Sequence, residues 1–571
     1  MNKKAIIALM GMAAAGIAGA ANVDISSDIT TSTTWSSNNV YNLTKQIFVR
    51  PGATLTIPAG TLVKSTANAG GSLAVSRGAK IYVNGTASAP VIMTSSLDTM
   101  MAWHQGANEW GNLTIMGKGL ISASSDSLRT RTGNTKTPTG LNTVQMEGLV
   151  ADGINDVIYG GNDDNDDSGS IHYLSLRYGG KVIGLANELN GLSLGAIGRA
   201  TDIDHVEIMN NVDDGIEIWG GTVNLKYVNI WNIGDDSLDI DQGWRGKAQF
   251  GLIVQGYSAD AAQGSGVGDN CFEMDGAEDS DAQPVTTAAI YNFTVVGQPI
   301  DGDQGTAWRD NARVQFRNCI FMNLGEKLVS IDNVDTDGAQ GYGFNGTLSW
   351  ADTWITPSTS YSTVNAGSWT PGAFNDPAVM YTAQSAGKLA EIKDSVFYNN
   401  LFASAYTEST ARGVHAAANS NVTASAAPIQ GLGFGSPVTK GGKTMLPVTN
   451  INPCAANDAV TSVATAPNDG FFTPAPFRGG FSANNNWLKG WTAVDAYSMT
   501  SGSAGVNPAA TIQMTASTFF QTTAGVVYTV EESSDMVNWT PVATLTGDGS
   551  IKSATDLSAF DSAKFYRAIV L

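Results

Sequence analysis

Two acidic segments, one repeat apart, contain the residues best suited to chemistry. The motif DDGIEI at 213–218 is followed 22 residues later by DDSLDI at 235–240. Inverting glycoside hydrolysis needs a carboxylic acid that protonates the leaving oxygen and a carboxylate that activates water. The motifs offer both groups, and the candidate catalytic residues are Asp214, Asp235 and Asp236.

The same spacing also has a purely structural interpretation, which we favour. Repeats of about 20–50 residues are typical of solenoids, whose coils stack equivalent residues into columns. A third copy, DNCFEM at 269–274, and matching strand patterns at 205–210 and 227–232 extend the repeat. In this interpretation the aspartates form a structural ladder that accepts backbone N–H bonds at tight turns.

The repeat predicts one acidic column on the outer surface of the coils. Glu217, Asp239 and Glu273 occupy equivalent positions between apolar residues that should point into the core. Carboxylates about 5 Å apart repel by about 1 kcal/mol or more per pair. A solvated face, a bound cation, or the nearby basic residues would offset this repulsion, and those basic residues are Lys226, Arg245 and Lys247.

Two acidic loops place oxygen ligands at alternate positions, as the start of an EF-hand loop does. Neither loop ends in the Glu that closes an EF-hand, so neither is one. Calcium is the one cofactor that these patterns favour, and its candidate ligands are Asp163, Asn165, Asp167, Asn333, Asp335 and Asp337. A solvated turn is the alternative for the loop at 163–167.

Four tryptophans on or beside the repeats have the chemistry to stack on sugar rings. These candidate substrate-binding residues are Trp219, Trp231, Trp244 and Trp308. Packing against neighbouring side chains is the alternative, and it is the commoner role of tryptophan on a strand.

Short strands are the elements that must position all these residues. Between 41 and 93, short alternating apolar segments are separated by Gly, Pro and Asn turns, with no helical stretch between them. The pattern predicts an all-β fold, a right-handed parallel β-helix over 21–497, with coils about 4.8 Å apart. Long loops rich in small residues should be inserted at about 338–389 and 416–471.

Both ends of the chain differ from this repeat. Residues 1–20 have a basic start, an apolar run and an A-x-A-like site, which predicts a signal peptide and export to the periplasm, cell surface or medium. No later stretch is long and apolar enough to predict a transmembrane segment. A Ser/Gly-rich linker at 498–508 should lead to a small β-sandwich-like module at 509–571.

The amino-acid composition narrows the classes of partner that the chain could bind. The chain has 51 acidic and 31 basic residues, and this excess of negative charge disfavours nucleic acid. The three cysteines, an odd number, exclude a disulfide scaffold. Cys271 and Cys319 lie in apolar strand patterns, so we expect buried free thiols there.

Several motifs resemble those of exported bacterial β-helix proteins of the pectin-lyase-like class. They include EWGNL at 109–113, YGGNDD at 159–164, GDDS at 234–237 and FRGGF at 477–481. The resemblance covers most of 41–492 and implies the fold more than an activity, because that family has no settled activity. The segment 528–568 is similar to C-terminal modules of exported Verrucomicrobia-type proteins.

A more distant resemblance concerns catalysis. Asp214, followed one coil later by the GDD motif at 234–236, is similar to the carboxylate trio of polygalacturonases. That family also has Gly-His-Gly and Arg-Ile-Lys motifs, and neither follows in this chain. The resemblance therefore implies an incomplete catalytic set.

From these observations we expect an exported, non-catalytic protein that binds a glycan or builds an extracellular layer. Its expected partner is a polysaccharide or another cell-envelope component. The alternative is a polysaccharide-cleaving enzyme, either a glycoside hydrolase or a lyase, that uses Asp214, Asp235 and Asp236.

Overall fold

The structure is a computed structural model that describes most of the chain. The described residues are 21–123, 142–150, 153, 156–184, 187–258, 268–277, 282–331, 349–359, 370–384, 386–400, 419–440, 442–457, 460, 463–504, 516–521, 523–533, 537–549, 551–556 and 565–570. The predicted signal peptide at 1–20 and the predicted calcium ligands Asn333, Asp335 and Asp337 lie outside the described residues.

Three parallel faces wind around a common core and form a parallel β-helix. The first face contains the strands Ala21–Ile25, Asn39–Leu43, Leu62–Ser65, Val91–Ser95, Ile320–Met322, Val396–Tyr398 and Val422–Thr423. The second contains Thr33–Thr34, Thr54–Pro58, Lys80–Asn84, Arg313–Arg317 and Glu391–Lys393. The third contains Gln46–Val49, Ser72–Val75, Leu113–Met116, Leu192–Gly195, Ile216–Trp219, Leu238–Asp241, Phe272–Asp275, Thr306–Arg309 and Val329–Ile331.

Five long strands join the second face to the first. They are Gly169–Arg177, Asp202–Asn211, Asn224–Ile233, Lys247–Val254 and Thr287–Val296. At the corner between the two faces, each long strand has a residue with a left-handed backbone, and these corner residues are Tyr173, His205, Tyr227, Phe250 and Asn292. A strand of the third face follows each long strand along the chain, after a short connection in some coils and a longer one in others, so one turn of the chain visits all three faces.

The register confirms that the 22-residue repeat is one coil. Val206 pairs in parallel with Val228, and Ile216 pairs with Leu238 on the third face. The sequence pattern also predicts that Val206, Val228 and Phe293 occupy successive coils. This prediction is wrong for Phe293, which lies two coils after Val228 because Gly251 occupies the coil between them. Sequence patterns missed that coil because its inward position is a glycine: a Cβ there would lie 2.1 Å from the Phe293 ring, which fills the space.

Apolar side chains from all three faces fill the interior of the coils. The predicted inward column of Ile216, Leu238 and Phe272 is fully buried. It is part of one continuous hydrophobic core that runs from Ile29 to Phe397. Burial of this core is the main stabilising contribution that a solenoid can gain, because each coil covers the apolar face of its neighbour.

The remaining elements are short. The helices are Trp350–Thr353, Pro377–Met380 and Ala493–Ala496. Small antiparallel pairs join Val144–Gln145 to Ile158–Tyr159, Val182–Gly184 to Asn187–Glu188, Ile429–Phe434 to Val448–Ala455, and Val438–Lys440 to Lys443–Met445. No described helix has the length and apolarity that a membrane span requires.

A buried glutamate attaches the last part of this unit to the coils. Glu207 accepts hydrogen bonds from the backbone N–H groups of Ala493 and Val494 and from the side chains of Ser175 and Asn229. Burial raises the pKa of Glu207 despite these donors and the nearby Arg177. The short helix Ala493–Ala496 is therefore held at its first turn by a side chain of the β-helix.

Residues 1–504 and 505–571 form two compact units. The first residues of the predicted linker still belong to the first unit, since the N–H of Ser501 donates to the carbonyl of Ile451. The second unit has a two-stranded antiparallel sheet, Ala516–Gln521 with Ile551–Asp556, and a three-stranded one formed by Val527–Ser533, Thr540–Thr546 and Phe565–Val570. All three cysteines of the chain are free and buried.

Candidate functional site: an acidic ladder

Successive coils of the third face bring the acidic motifs together. The parallel register places Glu217 beside Asp239 and Asp239 beside Glu273. The same register aligns the aspartates that precede each strand. We call the resulting cluster the acidic ladder; its residues are Asp213, Asp214, Glu217, Asp235, Asp236, Asp239, Asp241, Asp269, Glu273 and Asp275.

The central column of the ladder holds the coils together. The side-chain oxygen of Asn190 accepts the N–H of Asp214 at 3.2 Å, and Asp214 Oδ1 accepts the N–H of Asp236 at 3.0 Å. Asp236 Oδ1 in turn accepts the N–H of Asn270 at 2.6 Å. Two of the three candidate catalytic aspartates thus cap backbone groups of the next coil, as the structural interpretation predicts.

The neighbouring column is more accessible and strongly perturbed. Burial, together with Glu147 and Glu188, raises the pKa of Asp213 to about 7. Burial and the carboxylates of Asp269 and Asp213 raise the pKa of Asp235 to about 8. Both side chains are half-buried, so they can meet a ligand from solvent. Asp213 was not among the candidates from sequence, although it is the first residue of the same motif.

The third column was expected on the outer surface and is more enclosed than a solvated face. Glu217 is 7% exposed and Asp239 is 9% exposed, whereas Glu273 is half-buried. Asp239 Oδ1 is buried and has no hydrogen-bond partner among the described residues. Burial and the adjacent carboxylates, Glu273 first among them, hold the pKa of Asp239 well above its usual range.

Arg309 forms ion pairs at one end of the ladder, and its charge also acts to lower the pKa of Asp239. Its guanidinium lies 3.0 Å from Glu273 Oε1 and 2.7 Å from Asp275 Oδ1. At the other end, Asp213, Asp214, Asp235 and Asp239 form no ion pair with a described basic residue. The basic residues proposed from sequence point elsewhere: Lys226 donates to the carbonyl of Phe471, Arg245 pairs with Asp164, and Lys247 pairs with Asp469.

Two groups of carboxylate oxygens converge at the end of the ladder away from Arg309. One oxygen from each of Asp213, Asp214 and Asp235 lies within 4.8 Å of the others, and the same holds for Asp214, Glu217 and Asp239. Asp214 belongs to both groups. The arrangement can therefore concentrate protons or cations around Asp214.

The side chains of the predicted calcium loop at 163–167 contact other groups of the chain. Asp163 Oδ1 accepts the N–H of Asn165, and the side chain of Asn165 accepts a hydrogen bond from Arg199 at 3.1 Å. Asp167 pairs with Lys80 at 2.5 Å. Each of the three residues thus has a partner of its own within the chain, and the calcium site at Asp163, Asn165 and Asp167 stays a prediction.

The four candidate sugar-stacking tryptophans are buried, which corrects that prediction. Trp219 is 1% exposed, and Trp231, Trp244 and Trp308 are fully buried. Three of the indole N–H groups also have internal acceptors: Tyr257 Oη, the carbonyl of Val223 and Thr306 Oγ1. Their faces are covered by core residues, so a sugar ring cannot stack on them.

A second polar cluster, missed at the sequence level, lies on the second face. The Nδ1 atoms of His172 and His205 lie 3.0 Å and 2.6 Å from the two oxygens of Asp204. Although burial acts in the opposite direction, these two imidazoles hold the pKa of Asp204 well below its usual range. The repeat contained a signal for it, since His172 and Asp204 pair directly in the register.

These features define a class of protein: an all-β parallel β-helix whose third face carries a ladder of carboxylates. The chain belongs to the family described as the pectate-lyase-like β-helix domain, whose model matches residues 27–393. No curated protein sequence matches the chain.

Proposed function

We propose that this protein is exported and that its β-helix binds a polysaccharide through the face around the acidic ladder without cleaving it. One observation carries the non-catalytic part of the proposal. Asp214 and Asp236, the centre of the candidate catalytic set, each accept a backbone N–H of the following coil. Their equivalents Asn190 and Asn270 occupy the same column, which is expected of a structural ladder and not of a catalytic centre.

The surroundings of the ladder also favour binding over cleavage. A general base must be free to accept a proton from a group within hydrogen-bond reach. Arg309 lies against the ladder, but Asp275 and the neighbouring carboxylates raise its pKa, so it stays charged. The described histidines are engaged away from the ladder: His104 with Glu109, and His172 and His205 with Asp204.

Three observations support a polysaccharide as the partner. Coils about 4.8 Å apart repeat the same polar groups along the face, and a repeating surface suits a repeating polymer. The family description likens the domain to pectate lyases, which act on a polysaccharide. The predicted signal peptide would deliver the protein to the compartment where such polymers occur. Because the four candidate tryptophans are buried, recognition at the acidic ladder would depend on its polar and charged groups.

Cleavage is the second candidate function, and one observation favours it. Asp213 and Asp235 have pKa values of about 7 and about 8, and a carboxyl group that is protonated near neutral pH is a suitable general acid. Both lie beside Asp214. If the chain cleaves a polysaccharide, its activity should therefore depend on Asp213 and Asp235 more than on Asp236.

A paired assay of binding and cleavage tests the proposal. The mature chain is run through gels that contain neutral or anionic polysaccharides, and the same mixtures are assayed for new reducing ends and unsaturated products. We expect retardation by at least one polysaccharide and no product. Product formation that Asp213→Asn or Asp235→Asn removes, with the fold retained, would refute the proposal; retardation by no polysaccharide would refute the binding part.

A further inference from the structure

One segment near the end of the first unit lies across several coils, at the corner between the second and first faces. We call residues 477–497 the strap. At its start, the side chain of Asn292 donates to the carbonyl of Phe477, and at its end Tyr497 Oη donates to Asp98 Oδ1 at 2.9 Å. Asp98 and Asn292 belong to coils that are far apart along the β-helix, because four of the five long strands lie between them. The strap can therefore fasten these coils to one another.

A stack of aromatic rings at this corner forms the surface that the strap covers. The ring of His205 lies between those of Tyr173 and Tyr227, with ring centroids 4.0 Å and 4.3 Å away and nearly parallel planes. The indoles of Trp487 and Trp491 meet the imidazole nearly at right angles, with centroids 6.3 Å and 5.8 Å away. His205 is thus a point of contact between the coils and the strap.

Asp204 connects this contact to a second histidine. One of its oxygens lies 3.0 Å from Nδ1 of His172, and the other lies 2.6 Å from Nδ1 of His205. The two imidazole side chains are 29% and 15% exposed, so both can exchange protons with solvent. A protonated His205 is stabilised by the carboxylate and by the faces of both tyrosines, because a cation within about 6 Å of a ring centroid is attracted to the ring.

We propose that the strap is a pH-dependent fastening, held tightly when His172 and His205 are protonated and loosened when they lose their protons. The hydrogen bond to Asp204 raises the pKa of His172, although burial acts in the opposite direction. A pKa that is raised in the folded chain means that the stabilisation is complete below about pH 6.5 and is lost as the pH rises through the raised value. The pKa of Asp204 is held below its usual range, so its contribution is lost only below about pH 4.

Other titratable groups also face the strap. Glu207 accepts the N–H groups of Ala493 and Val494, and burial raises its pKa, so its contribution also decreases as the pH rises. Burial raises the pKa of Tyr173 and raises that of Tyr227 to about 12, so both rings stay neutral near pH 8. The remaining charged groups on the elements packed here are Asp98, Arg177, Asp202, Lys226, Asp469, Lys489 and Asp495.

Hydrogen exchange of the purified mature chain, followed by mass spectrometry in EDTA and with no polysaccharide present, measures the fastening directly. Peptides from 481–497 are compared at pH 5.5 and pH 8.0, with labelling times scaled to the intrinsic exchange rate at each pH. The titration-free variant is His172→Gln with His205→Phe, which keeps a hydrogen-bond donor at 172 and an aromatic ring at 205. The matched control is His104→Gln, because His104 pairs with Glu109 and not with Asp204. A separate Glu207→Gln variant isolates the contribution of the glutamate.

We expect the opening equilibrium constant of the strap to be at least about threefold larger at pH 8.0 than at pH 5.5 in the parent and in the control. The titration-free variant should lose at least about half of this ratio, and Glu207→Gln should retain more of it. His172→Gln alone should lower the ratio in the same direction if the double variant folds poorly. Equal opening at both pH values in the parent, an unchanged ratio in the folded titration-free variant, an equal decrease in the control, or complete loss of the ratio in Glu207→Gln would overturn the proposal.

Discussion

The hydrogen bond between Asp236 and the next coil allows a sharp test of the structural ladder. Asp236 is 3% exposed, and its Oδ1 accepts the N–H of Asn270 at 2.6 Å. In Asp236→Ala this N–H remains buried without an acceptor, which costs about 1–3 kcal/mol. In Asp236→Asn the amide oxygen can keep the bond, as the side chain of Asn190 does at 3.2 Å two coils earlier in the same column.

Asp236→Asn has two opposite effects on stability: it weakens a charge-assisted hydrogen bond, and it removes a carboxylate from a crowded acidic cluster. Burial and the carboxylates of Glu273, Asp235 and Asp214 hold the pKa of Asp236 well above its usual range, so the ionised form is disfavoured in the fold. Replacing it by a neutral amide removes that repulsion, which offsets the weaker acceptor. We therefore expect Asp236→Asn to lie within about 1 kcal/mol of the parent, and Asp236→Ala about 1–3 kcal/mol below Asp236→Asn.

Urea denaturation of the metal-free chain at pH 7, followed by tryptophan fluorescence and circular dichroism, measures both differences. Asp214→Asn and Asp214→Ala should repeat the result, because Asp214 caps Asp236 in the same way. Equal stability of the Asn and Ala variants at both positions would refute a contribution of these bonds to the stacking of coils.

Three further predictions concern pH, attachment and packing. In EDTA, the free energy of unfolding should fall as the pH rises from 5 to 9. The folded-state pKa values of about 7 for Asp213 and about 8 for Asp235 lie above the usual pKa of about 4, so the folded chain holds these protons more tightly than the unfolded chain, and this stabilisation is lost as the pH rises through 7 and 8. A free energy of unfolding that is constant or rises over this pH range would contradict the prediction. Glu207→Ala should cost about 3–5 kcal/mol and speed proteolysis near 493–496, since several buried donors lose their acceptor; unchanged cleavage would contradict the attachment. Trp244→Ala should cost about 3–5 kcal/mol in denaturation, whereas Trp244→Phe should fold and retain any polysaccharide binding; loss of binding in a folded Trp244→Phe chain would contradict the packing role.

The repeat made the fold and the core of the site predictable from sequence. A 22-residue offset between DDGIEI and DDSLDI fixes the register, and the register places Asp214 above Asp236. It also contained Asn190 as a ladder member, because NGLSL at 190–194 matches DGIEI at 214–218 once the coil is aligned. The apolar pattern did not predict the coil that contains Gly251, because the ring of Phe293 fills the space that an inward side chain occupies in other coils.

The contacts of the remaining site residues could not be predicted from the sequence, because their partners are distant along the chain. Lys80 lies 87 residues before Asp167, and no local pattern links them, yet the two form an ion pair at the predicted calcium loop. The indole of Trp231 meets Tyr257, which follows it by 26 residues through a longer coil. Arg309 reaches Asp275 across a coil of 34 residues, so its neutralising role depends on a loop length that the repeat does not set.

Prolonged incubation of the mature chain with a polysaccharide that it retains tests the central claim most directly. The measured quantity is the molar-mass distribution of the polymer, with and without calcium, beside an Asp213→Asn, Asp235→Asn double variant. We predict an unchanged distribution in every sample, because Asp214 and Asp236 serve the backbone of the coils and leave no complete acid and base pair. Progressive shortening by the parent chain, absent with the folded double variant, would contradict this and identify the acidic ladder as a catalytic centre.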